Sequence, residues 1–177
     1  TLPGRGMPAP QRMLPRIPKV TDFWGFAKAG RELSALHLQY ESIEPWPLEE
    51  VVDGKVVSIR PASQSYSTSG DPIGLLHVVK MRYGGKAPKK DKSRVIVNEH
   101  LELRGIPDEA HDYVLGSRSA LDWILERYQI KKDKASGIVN DPNDWGKEHG
   151  DPRYIVDLVK RITRVSVETV RIVGALP

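Results

Sequence analysis

Apolar positions along this chain switch between two periods, and the switches mark its elements. From Asp22 to Tyr40 they recur at helical spacing: Phe23, Phe26, Ala27, Gly30, Leu33, Ala35, Leu36, Leu38 and Tyr40 make a mostly apolar stripe. Thr21 or Asp22 stands where it can accept from the first unpaired amides, and Pro45 and Pro47 end any helix. Short strands are predicted at 51–52 and 55–59, joined by Asp53-Gly54, a dipeptide suited to a tight turn. Residues 62–72, rich in Ser, Gly and Asp, read as a loop. Alternation returns at 75–83 (LLHVVKMRY) and 94–103 (RVIVNEHLEL). The pair predicts an antiparallel hairpin whose tip, 84–93 (GGKAPKKDKS), is a flexible basic loop.

In the second half, Ile106-Pro107-Asp108 opens a short helix to about His111, and 113–115 is extended. Ser117 or Ser119 caps a helix over 120–128, with Leu121, Ile124, Leu125 and Tyr128 as its inner stripe and Trp123 beside it. Residues 137–145 read as irregular. A last helix starts near Pro152 and runs to about Val173, with Ile155, Leu158, Val159, Ile162 and Val165 on its apolar face. Residues 1–18 (TLPGRGMPAPQRMLPRIP) show neither period and read as an extended arm, leaving 19–177 as a single domain. The expected class is α+β: a small antiparallel sheet or hairpin flanked by several helices.

Composition narrows the chemistry. With no cysteine among 177 residues, disulfides and thiolate metal sites are excluded. No apolar run approaches the roughly 20 residues that span a bilayer, so no membrane is expected as a partner, and the cytoplasm is the default location. The five histidines sit singly, without a zinc spacing. No GxxxxGK[ST], GxGxxG or GxSxG occurs, and Asp141-Pro142-Asn143 lacks the second proline and the aromatic of an adenine-methylation tetrapeptide. Neither a cofactor nor catalysis of its own is expected of this chain.

Charge supplies the positive signal. The net charge is +4 with a pI near 9.3, a lean towards polyanions. Between Lys80 and Arg104 lie eight basic and three acidic residues, an excess larger than that of the whole chain. Lys86, Lys89, Lys90, Lys92 and the flanking Arg82 and Arg94 suit a hairpin gripping a duplex backbone. The same lysines also serve to keep an exposed strand edge from pairing with another chain. Lys131, Lys132 and Lys134 follow the 120–128 helix, where they suit either phosphate or the helix dipole. Ser117 and Arg118 sit at that helix's start; unpaired amides there hold phosphate, and Arg reads guanine. Asn140 and Asn143 can pair with adenine edges or make Asx-turns beside Pro142, with Trp145 pinning the loop. Lys160, Arg161 and Arg164 read as a solvent face. Trp24, Trp46 and Trp123 read as core or interface anchors.

Five segments together give a family resemblance: MLPRIP (13–18), FWGFAKAGRELSALHLQYE (23–41), RSALDWILERYQ (118–129), SGIVNDPNDW (136–145) and VSVETVRIVGALP (165–177). In combination they resemble the C-terminal region of type ISP restriction-modification enzymes. There a nuclease, a helicase motor and an adenine methyltransferase precede a specificity domain in one polypeptide. The resemblance implies a domain that recognises one short asymmetric sequence in double-stranded DNA and positions it for the methyltransferase. Its further partners would be the methyltransferase and helicase domains of the same parent chain. It transfers no individual base-reading residue, and TLPGRGMPAPQR departs from the methyltransferase tail that precedes MLPRIP. The rival expectation is a docking module whose aromatic first helix (Phe23, Trp24, Phe26, Leu33, Tyr40) packs on the methyltransferase without binding DNA.

Overall fold

A computed structural model describes residues 22–57, 72–86 and 88–176. The predicted arm at 1–18, nearly all of the predicted 62–72 loop and the end of the 55–59 strand lie outside the described residues. Five helices and nine strands are described: α1 (Phe23–Leu38), β1 (Glu49–Val52), β2 (Lys55–Val57), α2 (Pro72–Leu76), β3 (Arg82–Lys86), β4 (Lys89–Ile96), β5 (Leu101–Arg104), β6 (Val114–Leu115), β7 (Arg118–Ser119), α3 (Ala120–Arg127), β8 (Lys131–Lys132), β9 (Val139–Asn140), α4 (Asn143–His149) and α5 (Tyr154–Gly174). A 3-10 turn occupies Asp108–His111. The fold is α+β, as the alternating periods predict.

The main sheet is antiparallel throughout, in the order β2-β1-β5-β4-β3. Asp53 and Gly54 both take positive φ (47° and 80°), the conformation that lets a two-residue turn follow the twist of β1 and β2. One sheet face supplies Tyr83, Val95, Leu101 and Leu103 to the core, with the half-buried Val52 of β1 packed beside them. Against it lies α5, buried along most of its length because α1 and α3 pack on it as well. Its core residues include Ile155, Val156, Val159 and Val167. Its hydroxyl residues answer to the helix itself: Thr163 Oγ1 donates to the Val159 carbonyl at 2.8 Å and Ser166 Oγ to Ile162 at 2.7 Å.

Five expectations are corrected. The 84–93 run is not a long loop: β3 continues to Lys86 and β4 begins at Lys89, so most of it is strand. The 94–103 run is not one strand. Asn98 breaks it: Asn98 Oδ1 accepts from the His100 and Leu101 amides at 2.9 and 2.8 Å, reversing the chain into β5. The 75–83 run is strand only from Arg82; its start belongs to α2, and Val79 is exposed. Residues 137–145 are not wholly irregular, since they hold β9 and the start of α4. Finally, Lys160 does not face solvent. It is buried with Glu50 of β1, to which it donates, and Arg153 Nη2 reaches the same carboxylate oxygen at 2.6 Å. Arg164 is half-buried, with its guanidinium 5.5 Å from the centre of the Trp46 ring.

Candidate nucleic-acid interface

Two glycines give the β3–β4 hairpin its shape. The register slips between Tyr83 and Gly84, a bulge that strengthens the local twist. A Cβ on Gly84 would run into the Arg94 side chain, which lies across it. Gly85 has φ +73°, and a Cβ there would stand 2.6 Å from the Lys89 carbonyl oxygen. Arg94 is held on both sides: Nε donates to Asp91 Oδ2 at 2.9 Å and Nη1 to Glu102 Oε2 at 3.4 Å. The Ser93 hydroxyl, 2.6 Å from Asp91 Oδ1, is the main reason that this carboxyl titrates below its ordinary range. Beyond this clamp, Arg82, Lys86, Lys89 and Lys90 are exposed. Lys92 leans back instead, with Nζ 3.9 Å from Asp122 Oδ2 and 5.5 Å from the centre of the Tyr83 ring. Burial, and then the Asp122 charge, push the Tyr83 hydroxyl well up.

Across an open groove of about 950 Å³ stands α3. The hairpin side contributes Lys80, Arg82, Lys86 and Lys90; the helix side contributes Arg118, Asp122 and Glu126. Ser119, not Ser117, caps the helix: its hydroxyl accepts from the Asp122 amide at 3.2 Å, and Asp122 Oδ2 accepts from the Ser119 amide at 3.2 Å. Burial works against ionisation of Asp122, but the Ser119 donors outweigh it and keep the carboxyl below its usual value. Ser117 is left exposed in the turn between β6 and β7, beside Gly116 with φ +73°. Arg118 is fixed from two directions. Its guanidinium lies 5.4 Å from the centre of the Trp123 ring, and it forms an ion pair with Glu126. The indole is itself anchored, because Trp123 Nε1 donates to the Leu115 carbonyl at 3.0 Å.

The β8–β9 hairpin adjoins this groove. Lys131 pairs with Asn140 and Lys132 with Val139, all exposed. A bridge from Lys80 to Gln129 and a 2.9 Å bond from the Ile130 amide to the Val79 carbonyl tie it to the β3 side.

The fold therefore gathers Arg82, Lys86, Lys90 and Arg118 around one concavity and sets Lys89 at its tip. Lys131, Lys132 and Asn140 stand on the neighbouring hairpin. Asn143 is placed otherwise, since both ends of its amide bond the Val78 backbone. Arg94 is inside its clamp. Nor is Trp145 an open stacking platform: His149 stacks on it at 4.2 Å and Tyr154 lies 4.0 Å away. Among the tryptophans, Trp46 packs against the core but Trp24 is 73% exposed. Sequence reasoning missed Glu126 and Gln129. Helical spacing from Asp122 was the signal that places Glu126 on the same face of α3, whereas Gln129 lies past the helix end and reaches the groove through its bridge to Lys80.

Among the described residues, no group of three or more His, Asp or Glu is placed to hold a metal ion, and no helix is long and apolar enough to cross a membrane.

An open groove with one cationic wall, carried on a small α+β scaffold, is the make-up of a polyanion-gripping module. The type ISP C-terminal specificity domain family matches residues 11–158, and the chain belongs to that family. Solved structures agree. A nuclease-deletion mutant of the type ISP restriction-modification enzyme LlaGI, in complex with a DNA substrate mimic, is 32% identical with a TM-score of 0.70 over 93% of this chain. The ATP-dependent type ISP restriction-modification enzyme LlaBIII bound to DNA is 30% identical, with a TM-score of 0.71 over 94%. The DrdV–DNA complex is 33% identical, with a TM-score of 0.67 over 95%. This chain spans 11%, 9% and 16% of the lengths of those three chains. A search of curated protein sequences finds no match.

Proposed function

We propose that this domain recognises a target sequence in double-stranded DNA, without chemistry of its own, and presents it to an adenine methyltransferase of the same parent polypeptide. The observation that carries the reading is the groove, where Lys80, Arg82, Lys86 and Lys90 face Arg118 over about 950 Å³. Phosphate contacts fall to Lys86, Lys89, Lys90, Lys92, Lys131 and Lys132, with Ser117 at the turn. Base contacts fall to Arg82, Arg118 and Asn140, while Arg94, held by Asp91 and Glu102, braces the hairpin that carries Arg82. The internal bonds of Asn143 give it a supporting place behind them. Family membership and the DNA-bound relatives support the DNA-recognition reading, and the cytoplasm is the matching location. The helicase domain of the parent chain is the second intramolecular partner.

The test is to bind the chain to a random duplex pool over a salt series and sequence what is retained. Salt-steep binding with one enriched motif is the expected outcome. Absence of binding at low salt would overturn the reading.

A second reading, docking onto the methyltransferase, is favoured by one observation. Phe23 and Trp24, edge-to-face with ring centres 5.2 Å apart, are 62% and 73% exposed at the start of α1. Exposed aromatic pairs of this kind mark protein contacts. The two readings concern different faces and are compatible within one parent chain.

A further inference from the structure

The groove's helix wall poses a problem that DNA binding alone does not explain. A surface built only to grip phosphates has no use for a carboxylate, because each one repels the duplex and weakens counterion release. Asp122 is accounted for by the capping box and by Lys92. Glu126 is not: it caps nothing, is half-exposed in the groove, and has Arg118 as its ion-pair partner. Arg118 meanwhile is the one groove cation whose guanidinium is both seated near an aromatic ring and held by a carboxylate. The hairpin cations opposite, Lys80, Arg82, Lys86 and Lys90, have no such pairing among the described contacts.

We infer that Glu126 is a positioning residue that orients Arg118 for bidentate reading of a guanine, so that the Arg118–Glu126–Trp123 unit sets one base of the target. This rests on the DNA-recognition reading above. The physical argument has two parts. A guanidinium that must offer two parallel N–H groups to guanine O6 and N7 gains from being fixed beforehand, because less rotamer freedom is lost on contact. The anchored Trp123 ring beneath it and the Glu126 carboxylate beside it supply that fixation. Secondly, a carboxylate next to the reading position costs affinity for every duplex and is offset only where the Arg118 contact forms. It thereby raises the penalty for a wrong base. Specificity and affinity are thus expected to move in opposite directions when Glu126 is neutralised, which a merely structural ion pair would not produce.

The experiment uses the full chain and the random duplex pool, comparing the unmodified protein with Arg118→Lys and Glu126→Gln. Thermal unfolding of each variant confirms that it folds. The unmodified chain is expected to enrich a guanine at one fixed position. Arg118→Lys keeps the charge but not the fork, so that preference drops about tenfold or more while the salt slope holds. Glu126→Gln is expected to weaken the same guanine preference severalfold, to leave other positions alone, and to bind unselected duplex as tightly as the parent or more tightly. A motif that survives Glu126→Gln unchanged, or a loss spread evenly over all positions, overturns the inference. Salt-steep binding by the unmodified chain with no enriched guanine also overturns it and leaves the groove as a backbone clamp. Absence of any binding defeats the DNA reading itself.

Discussion

Asn143 treats Val78 as a strand treats its neighbour: its Oδ1 accepts from the Val78 amide at 2.9 Å and its Nδ2 donates to the Val78 carbonyl at 2.8 Å. A side-chain amide thus satisfies both backbone groups of a fully buried residue that belongs to no sheet ladder. Asn143→Ala leaves those two groups without partners, at a cost of about 1–3 kcal/mol each before relaxation. Chemical denaturation of the variant should give a clearly lowered midpoint, whereas an unchanged midpoint would show that Asn143 does not brace the loop.

The buried charges between β1 and α5 predict an acid-sensitive seam. Burial of Glu50 opposes its ionisation, but hydrogen bonds from Arg153 and Lys160 outweigh burial and hold the carboxyl below its ordinary value. A carboxyl with a lowered folded pKa contributes stability that is full above its unfolded pKa, about 4.3 for Glu, and is lost as pH falls through the folded value. Asp157 acts in the opposite sense, because burial raises its pKa despite Arg153 and Lys160. Glu50→Gln is therefore expected to lower stability at neutral pH by about 3–5 kcal/mol, as when one partner of a buried pair is lost. It should also flatten the decline in stability on the acid side. Urea midpoints at pH 7 and across the acid range check both statements.

Gly85 controls where the lysine tip points. With φ +73° and the Lys89 carbonyl oxygen 2.6 Å from any added Cβ, Gly85→Ala must move the backbone of the turn. Strain of this kind costs on the order of 1–3 kcal/mol. Duplex affinity should fall while the core, measured by tryptophan fluorescence of the fold, stays intact. Unaltered affinity would mean that the tip does not touch DNA.

Phe23 and Trp24 lie on α1 and are not among the groove-lining residues. Replacing both with serine should leave duplex affinity unchanged within error, since neither lines the groove. Any self-association of the chain seen by sedimentation should decrease. A large loss of DNA binding in this variant would move the interface to α1.

Much of the scaffold was legible because its signals are local. Asp53-Gly54 demands positive φ, Ser119 and Asp122 have capping-box spacing, and α5 repeats its apolar residues at helical period. What escaped depends on contacts between distant parts of the chain. The alternation of RVIVNEHLEL continues through Val97 and Leu101, so nothing local announces that Asn98 turns there. Its Nδ2 donates to the carbonyls of Leu75 and His77, residues more than twenty positions away. Lys160 looked like a surface residue because its partner, Glu50, is 110 positions earlier. The candidate site was half legible. The basic hairpin is visible as composition, but only the fold brings Arg118 opposite Lys86 and Lys90 and puts Glu126 beside it.

The central claim is that the groove between the β3–β4 hairpin and α3 holds the DNA backbone. Its most direct test is fluorescence anisotropy of a short duplex with the unmodified chain and with the triple variant Lys86→Ala, Lys89→Ala, Lys90→Ala, titrated over a salt series. The slope of log K against log salt changes by about 0.9 per phosphate contact, so losing three contacts should flatten it by roughly 3. An identical slope for the two proteins, or no binding by the unmodified chain at low salt, would contradict the claim.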